Sequence, residues 1–253
     1  LPALVQLSLI SAPAGIGIDV DGTIQVAAGS PAGRMDVTYQ ICEAALPGNC
    51  ATATATLLVD PLAVTDSFST LAGATLIGNV ASNDNAPPGA LFSVTGASPD
   101  GLLFNADGTF AYTPPDGTSG AVSFAYQVCL PPPFNALCSD SSATITVQAG
   151  AIVANDDDLR ATPIDPVTGG TTASVLLNDS LNGVSPPSAS SVILSLAAPP
   201  PGISVGPGGV INVAPGTTAG AMTLGYTLCE AVLPSNCATA TVQLLISPAA
   251  VEA

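Results

Sequence analysis

Residues Val37–Val59 read VTYQICEAALPGNCATATATLLV, and the chain writes the same pattern twice more: SFAYQVCLPPPFNALCSDSSATITV at Ser123–Val147 and LGYTLCEAVLPSNCATATVQLLI at Leu224–Ile246. Each copy has a strand led by an aromatic or apolar residue, a cysteine, a loop containing proline, a second cysteine, and a run alternating Thr or Ser with apolar residues. Alternation with period two is the mark of a strand with one buried and one wet face. In the first copy Val37, Tyr39 and Ile41 share the face expected to be buried, and Thr38, Gln40 and Cys42 share the other. Phe124, Tyr126 and Val128 repeat this in the second copy, as do Tyr226 and Leu228 in the third. The three tyrosines are therefore expected in the core with satisfied hydroxyls. Both cysteines of each copy fall on the outer face at the two ends of one loop. Cross-strand neighbours on one face bring their Cβ atoms within about 5.5 Å, close enough for a disulfide. Six cysteines admit many pairings, and the repetition selects Cys42–Cys50, Cys129–Cys138 and Cys229–Cys237. Each would close a loop of roughly ten residues, worth about 2–3 kcal/mol by chain entropy. Disulfides imply an oxidising compartment.

Around these hairpins the chain is punctuated rather than helical. Gly-rich turns precede each one, DVDGTI at Asp19–Ile24, NADGTF at Asn105–Phe110 and GPGGVI at Gly206–Ile211, and no stretch has a 3.6-residue period. The first cysteines lie 87 and then 100 residues apart, a repeat length large enough for a core of its own. Farther upstream, the second and third repeats share more: LAVTDSF at Leu62–Phe68 matches VANDDDL at Val153–Leu159, and ATLIGNVASNDNAPPG at Ala74–Gly89 matches GTTASVLLNDSLNG at Gly170–Gly183. The first repeat has no counterpart to either. The expected domains are a partial repeat over 1–60, whole repeats over 61–149 and 150–248, and the start of a further repeat at 249–253, where SPAAVEA echoes DPLAVTD. Two readings of the partial repeat stand side by side. The chain is a window on a longer array, or the half-domain is completed by strands from another chain, since open sheet edges need covering.

Composition removes most chemistry. The 253 residues hold two basic residues, Arg34 and Arg160, against 18 Asp and Glu, with no His and no Trp, for a net charge of −16. Nucleic acid is excluded because phosphate neutralisation needs Lys or Arg, and an anionic membrane surface is disfavoured for the same reason. Without His the usual general base is missing, and without Lys there is neither an amine nucleophile nor a lysine–asparagine crosslink. A glycosidase would need two paired acids in a cleft, which no pair of acids here suggests. Aromatics at 4% provide poorly for stacking on sugar. The expectation is no enzyme, no zinc site and no membrane insertion, since every long uncharged run is broken by Pro, Gly or polar residues. A disulfide-bearing chain with no basic leader at Leu1 reads as a mature or internal piece of something longer.

The order of these motifs carries a resemblance. A leading V-x-D-x-F/L, then V-L/A-x-N-D, then D-G-T-F-x-Y-T-P, then S-F-x-Y-x-V-C and C-x-x-x-A-T-I-T-V resembles the bacterial cadherin-like and Ig-like tandem repeats of large surface adhesins and extracellular stalks. It covers Pro61–Val147 and Ile152–Ile246, and the later half of the pattern over Leu4–Val59. The resemblance implies an all-β fold of tandem Ig-like (cadherin-like) sandwiches, about seven strands each, with the first incomplete. It further implies an extracellular place on a bacterial surface, a non-catalytic stalk or filament role, and neighbouring repeats or identical chains of a fibre as partners. A ligand-binding module on a secreted enzyme is the alternative from another class; it would show an exposed aromatic platform, which the sequence lacks.

Calcium is the one cofactor the resemblance brings, held at repeat junctions by hard oxygen ligands. The best cluster is Asn155, Asp156, Asp157 and Asp158, joined by Asn178 and Asp179; the thinner counterpart one repeat earlier has Asp66 and Asp84 with Asp60 and Asn83. The loops here, NDNAPPG and NDSLNG, depart from the family's N-D-x-D-x-D-G, so the alternative is that each Asn-Asp makes a turn. Asp19 and Asp21 read as a turn, because their third-repeat counterparts are Gly206 and Gly208.

Overall fold

The structure is a computed structural model and describes residues 4–247, so the expected further repeat at 249–253 lies outside the described residues. Twenty-one strands carry the fold among the described residues. The first repeat holds β1 (Val5–Ser11), β2 (Ile16–Ile18), β3 (Ile24–Val26), β4 (Gly33–Glu43) and β5 (Leu46–Val59). The second holds β6 (Asp66–Leu71), β7 (Leu76–Asn79), β8 (Leu91–Thr95), β9 (Leu102–Phe104), β10 (Thr109–Tyr112), β11 (Gly120–Cys129) and β12 (Cys138–Gln148). The third holds β13 (Ile152–Val153), β14 (Asp157–Asp158), β15 (Gly170–Ser174), β16 (Ser180–Leu181), β17 (Val192–Leu196), β18 (Ile203–Val205), β19 (Val210–Val213), β20 (Gly220–Glu230) and β21 (Cys237–Ile246). Helix among the described residues is confined to single 3-10 turns. The fold is all-β, in the manner of Ig-like and cadherin-like sandwiches.

Residue contacts divide the chain into two compact units. One comprises Leu1–Ser69, Thr75–Thr113 and Ala121–Thr146; the other comprises Thr70–Ala74, Pro114–Gly120 and Val147–Ala253. The first unit thus takes in the first repeat together with most of the second. In it, Asn85 spans the two sequence repeats: its Oδ1 accepts from the Ala32 backbone N–H at 3.1 Å and its Nδ2 donates to the Ser30 carbonyl at 2.8 Å.

The second repeat faces a four-stranded sheet, β6-β12-β11-β8, with a three-stranded one, β7-β10-β9. The third repeats this with β14-β21-β20-β17 and β15-β19-β18. Alternation decides which side chains lie between the sheets: Phe124, Tyr126 and Val128 of β11, and Tyr226 and Leu228 of β20, are all at most 2% exposed. All six phenylalanines belong to the second repeat. Phe110 packs edge-on against Phe68 and Phe124, with centroids 5.0 and 5.5 Å away. The third core is aliphatic instead, built on Val175, Ile211, Leu228 and Leu244.

The first repeat departs from expectation. Its sheets are the three-stranded β1-β4-β5 and the two-stranded β2-β3. Val37 is fully buried beside Met35 and Ile16, but Tyr39 is only half-buried and Ile41 is 38% exposed. Alternation assigned those two residues the correct face. Among the described residues, the face itself lacks a full covering layer at that end.

Candidate functional site

The sequence offers two kinds of constellation, cysteine pairs and Asn/Asp clusters, and the structure treats them differently. Three disulfides tie the long hairpins: Cys42–Cys50 across β4 and β5, Cys129–Cys138 across β11 and β12, and Cys229–Cys237 across β20 and β21, with Cα atoms 4.1, 4.0 and 4.1 Å apart. In the first and third loops, C-E-A-x-L-P-x-N-C carries a second tie. Asn49 donates to Glu43 at 3.1 Å, and Asn236 donates to the buried Glu230 at 2.9 Å. Asn236 and Glu230 also hold Gly150, the asparagine donating to its carbonyl and the glutamate accepting from its N–H.

The acidic residues converge on tyrosines. In the second repeat the Tyr126 hydroxyl lies 2.7 Å from the Val64 carbonyl, 2.9 Å from Asp66 Oδ2 and 3.1 and 3.2 Å from the two Asp84 oxygens. Asp84 also accepts from the Val64 N–H at 2.6 Å. The third repeat rebuilds this around Tyr226, whose hydroxyl lies 2.7 Å from the Asn155 carbonyl and 3.1 Å from both oxygens of the fully buried Asp179. Asp179 in turn accepts from the Asn155 N–H at 2.8 Å. Asp157, the counterpart of Asp66, stands beside it with Oδ2 buried and unpartnered. A hydroxyl has one proton, so in each cluster more oxygens gather than one donor can serve. The consequence is electrostatic. Burial, then the neighbouring Asp179 carboxylate, pushes Asp157 up to about 6. Burial likewise raises Asp66, Asp84 and Asp179 above the usual carboxylate range, and holds both tyrosines in the neutral, donating form.

The expected calcium ligands are not gathered as a cation site. Asp156 Oδ1 accepts from the N–H and hydroxyl of Thr241, at 2.8 and 2.9 Å. Asp158 is clasped by Arg160 through Nε at 2.8 Å and Nη2 at 2.6 Å, and those hydrogen bonds lower it to about 2. Asn155 and Asn178 turn their amide N–H groups to the carbonyls of Asn178 and Asp156. What remains is the Asp157–Asp179 pair, and at the earlier position Asp66–Asp84; no group of three acidic, Cys or His side chains is placed to hold a metal among the described residues. A calcium ion asks for six to eight oxygens, and these residues do not fit it. In this structure the members of the Asp triplet cap and pair. Sequence reading missed that Asp66 with Asp84, and Asp157 with Asp179, meet a tyrosine. The available signal was joint recurrence: Asp66, Asp84 and Tyr126 return in the same order as Asp157, Asp179 and Tyr226. Asp19 and Asp21 form a turn, with the Gly22 N–H on the Asp19 carbonyl and the Thr23 N–H on Asp21 Oδ1.

A concavity of about 600 Å³ is walled by alanines and prolines around Phe92, with Asp107 at its margin. It gathers no pair of acids. No helix among the described residues is long and apolar enough to cross a membrane.

Two sandwiches of like topology, each ending in a disulfide-tied hairpin, define a chain of Ig-like β-repeats. Within the chain, residues 58–148 match the bacterial Ig domain family. Among solved structures the chain is similar to mouse cadherin-23 repeats EC22-24 (10% identity, 97% of this chain and 87% of that one, TM-score 0.28). It is similar also to chicken VE-cadherin EC1-2 (15%, 72% and 98%, 0.32), and to the endo-fucoidan hydrolase MfFcnA4 of glycoside hydrolase family 107, H294Q form (14%, 96% and 39%, 0.34). At these scores the likenesses carry no argument about function. No curated protein matches.

Proposed function

We propose that this chain is a non-catalytic segment of an extracellular stalk or fibre on a bacterial surface, with repeats over 1–60, 61–149 and 150–248. The observation that carries the reading is the pairing of the third repeat's opening and closing strands. β14 runs parallel to β21, Asp157 against Val242 and Asp158 against Gln243, and the pairing resumes at Ile164 against Ile246. Tension on a tandem chain enters a repeat through its opening segment, here past the two-residue β13 into β14, and leaves at its last strand. When those two are parallel neighbours, the pull shears the ladder, so its hydrogen bonds yield together rather than one by one. The Tyr226 cluster ties the same opening segment, through Asn155 and Asp179, to the closing hairpin, and the disulfide fixes the far end of that hairpin.

Force spectroscopy on the intact oxidised chain tests this. The third repeat is expected to resist extension strongly, and Tyr226→Phe to lower its rupture force while leaving its unfolded contour length unchanged. Gradual peeling at low force would overturn the stalk reading.

A further inference from the structure

The residues that close β12 and lead into β13 read QAGAI, Gln148–Ile152, small and uncharged, a composition that ordinarily leaves a linker solvated and flexible. Here its main-chain groups are taken one after another. The Gln148 carbonyl accepts from the Ala72 N–H at 2.8 Å. Gly150 is buried, its N–H donating to Glu230 Oε2 at 3.0 Å and its carbonyl accepting from Asn236 Nδ2 at 2.8 Å. Ala151 is held by Asn182, whose Oδ1 accepts from its N–H at 2.9 Å and whose own N–H donates to its carbonyl at 2.8 Å. Glu230 and Asn236 stand immediately inside Cys229 and Cys237, so the disulfide sets the distance between them. Glu230 is 3% exposed, and its carboxylate is met by N–H donors rather than by a cation. A buried charge is costly unless hydrogen bonds replace its water, so the carboxylate needs the linker's N–H as much as the linker needs an acceptor. The middle of the same loop engages two turns. The Val232 carbonyl accepts from the Gly117 N–H at 2.7 Å, and the Val232 side chain rests on Gly73, where a Cβ would stand 3.1 Å from its Cγ1. The turns that carry these glycines, Thr70–Ala74 and Pro114–Gly120, accordingly fall with the third repeat in the second compact unit.

We propose that the loop Glu230–Asn236 is a docking head for main chain, and that linker, glycine turns and head form one cooperative element that opens and closes together. Glu230 and Asn236 clamp a glycine peptide unit by both its N–H and its carbonyl, and Val232 seats the two turns. Glycine is part of what the clamp specifies: a Cβ at Gly150 would stand 2.9 Å from Glu230 Oε1. The hairpin alone does not demand this chemistry. In the second repeat Leu130 and Leu137 take the places of Glu230 and Asn236, joined by the same main-chain bond from N–H to carbonyl. The acid–amide pair is therefore a specificity added to a shared loop, and the disulfide, besides closing the hairpin, braces that pair. Glu230 is the positioning residue through which the state of the linker reaches Val232 and its turns. The inference does not rest on the stalk reading, because local opening of the head and rupture of the third repeat are separate measurements.

Amide hydrogen exchange on the intact oxidised chain, read residue by residue by NMR, tests this. The Gly117 and Gly150 N–H groups are expected to be protected and to share one opening free energy, since a single opening exposes both. Glu230→Ala should speed the exchange of both by about tenfold or more, the scale of one lost hydrogen bond to a charged group, while the amides of Leu224–Leu228 in β20 keep their rates. Should Glu230→Ala loosen β20 as well, Gly150→Ala decides. Its methyl meets Glu230 and not Val232, yet by displacing the carboxylate it should speed Gly117 exchange by a like factor. A Gly117 amide that exchanges as freely as an exposed loop amide overturns the proposal. So does a Gly117 rate that Gly150→Ala leaves unchanged.

Discussion

At the scale of single residues four aspartates stand in two clusters around Tyr126 and Tyr226, and these shape the protein's response to pH. Asp157 is pushed up to about 6, above the ordinary value of an unfolded aspartate near 3.9. Between those values the folded chain holds a proton that the unfolded chain has released, so stability falls as pH rises from about 4 through 6 and stays lower above. A half-buried carboxyl is partly screened, so we expect about 1 kcal/mol rather than the full equivalent of the shift. Denaturant titrations of the third repeat at pH 4.5 and 7.5 should show that loss. Asp157→Asn, which keeps the shape and can donate to Asp179, should abolish it and stabilise the repeat at pH 7.5. A second prediction contrasts equivalent tyrosines. Tyr126→Phe strands Asp66 and Asp84 in the core without their shared donor and should cost about 1–3 kcal/mol. Tyr39→Phe should cost close to nothing in the chain alone, because no group among the described residues accepts from that hydroxyl. Equal costs at the two positions would overturn the clusters as stabilising elements.

At the scale of strands, what the sequence could and could not disclose follows from range. Alternation is local, so the inward faces of β11 and β20 were legible down to Phe124, Tyr126 and Leu228, and the cysteine pairs followed from parity and repetition. Whether a face is covered is not local: Ile41 sits where alternation puts it and is exposed because, among the described residues, no third strand joins β2-β3 to cover it. The Asp clusters were illegible for the same reason, since Asp66 and Asp84 meet Tyr126 across separations of 60 and 42 residues. Acids that bind calcium and acids that pair around a hydroxyl look alike in sequence. Gly78 in β7 is another long-range fact. A Cβ there would stand 2.4 Å from the ring of Phe110, itself wedged against Phe68 and Phe124. Gly78→Ala should therefore destabilise the second repeat by about 1–3 kcal/mol, the usual cost of overpacking, measured by its denaturation midpoint. The hairpins carry a further expectation. Reduction frees loops spanning 8, 9 and 8 residues and should lower the melting temperature without abolishing the fold, at about 2–3 kcal/mol for each loop. The least effect belongs to Cys42–Cys50, whose end of the ladder is already solvent-exposed.

At the scale of the whole chain, a net charge of −16 makes any divalent cation accumulate near the surface, so binding alone would not reveal a calcium site. The distinction is between a diffuse atmosphere and a coordinated ion. An ion held by six or more protein oxygens would stabilise the folded state in proportion to the logarithm of its free concentration above its dissociation constant. It would also discriminate calcium from magnesium, whose smaller shell demands stricter geometry. A screened atmosphere does neither: it acts alike for both ions and fades within a Debye length of about 8 Å at physiological salt. Because Thr241 and Arg160 already occupy Asp156 and Asp158, and the remaining carboxyls stand in pairs around tyrosines, we expect the second behaviour. Melting at 0.15 M salt should move equally and slightly with calcium or magnesium, and EDTA should leave it unchanged. A calcium-selective, saturable rise that Asp179→Asn removes would mean that Asp157 and Asp179 part to admit an ion. The raised Asp157 would then titrate in competition with the metal, and the fall in stability between pH 4 and 6 would disappear once calcium is present.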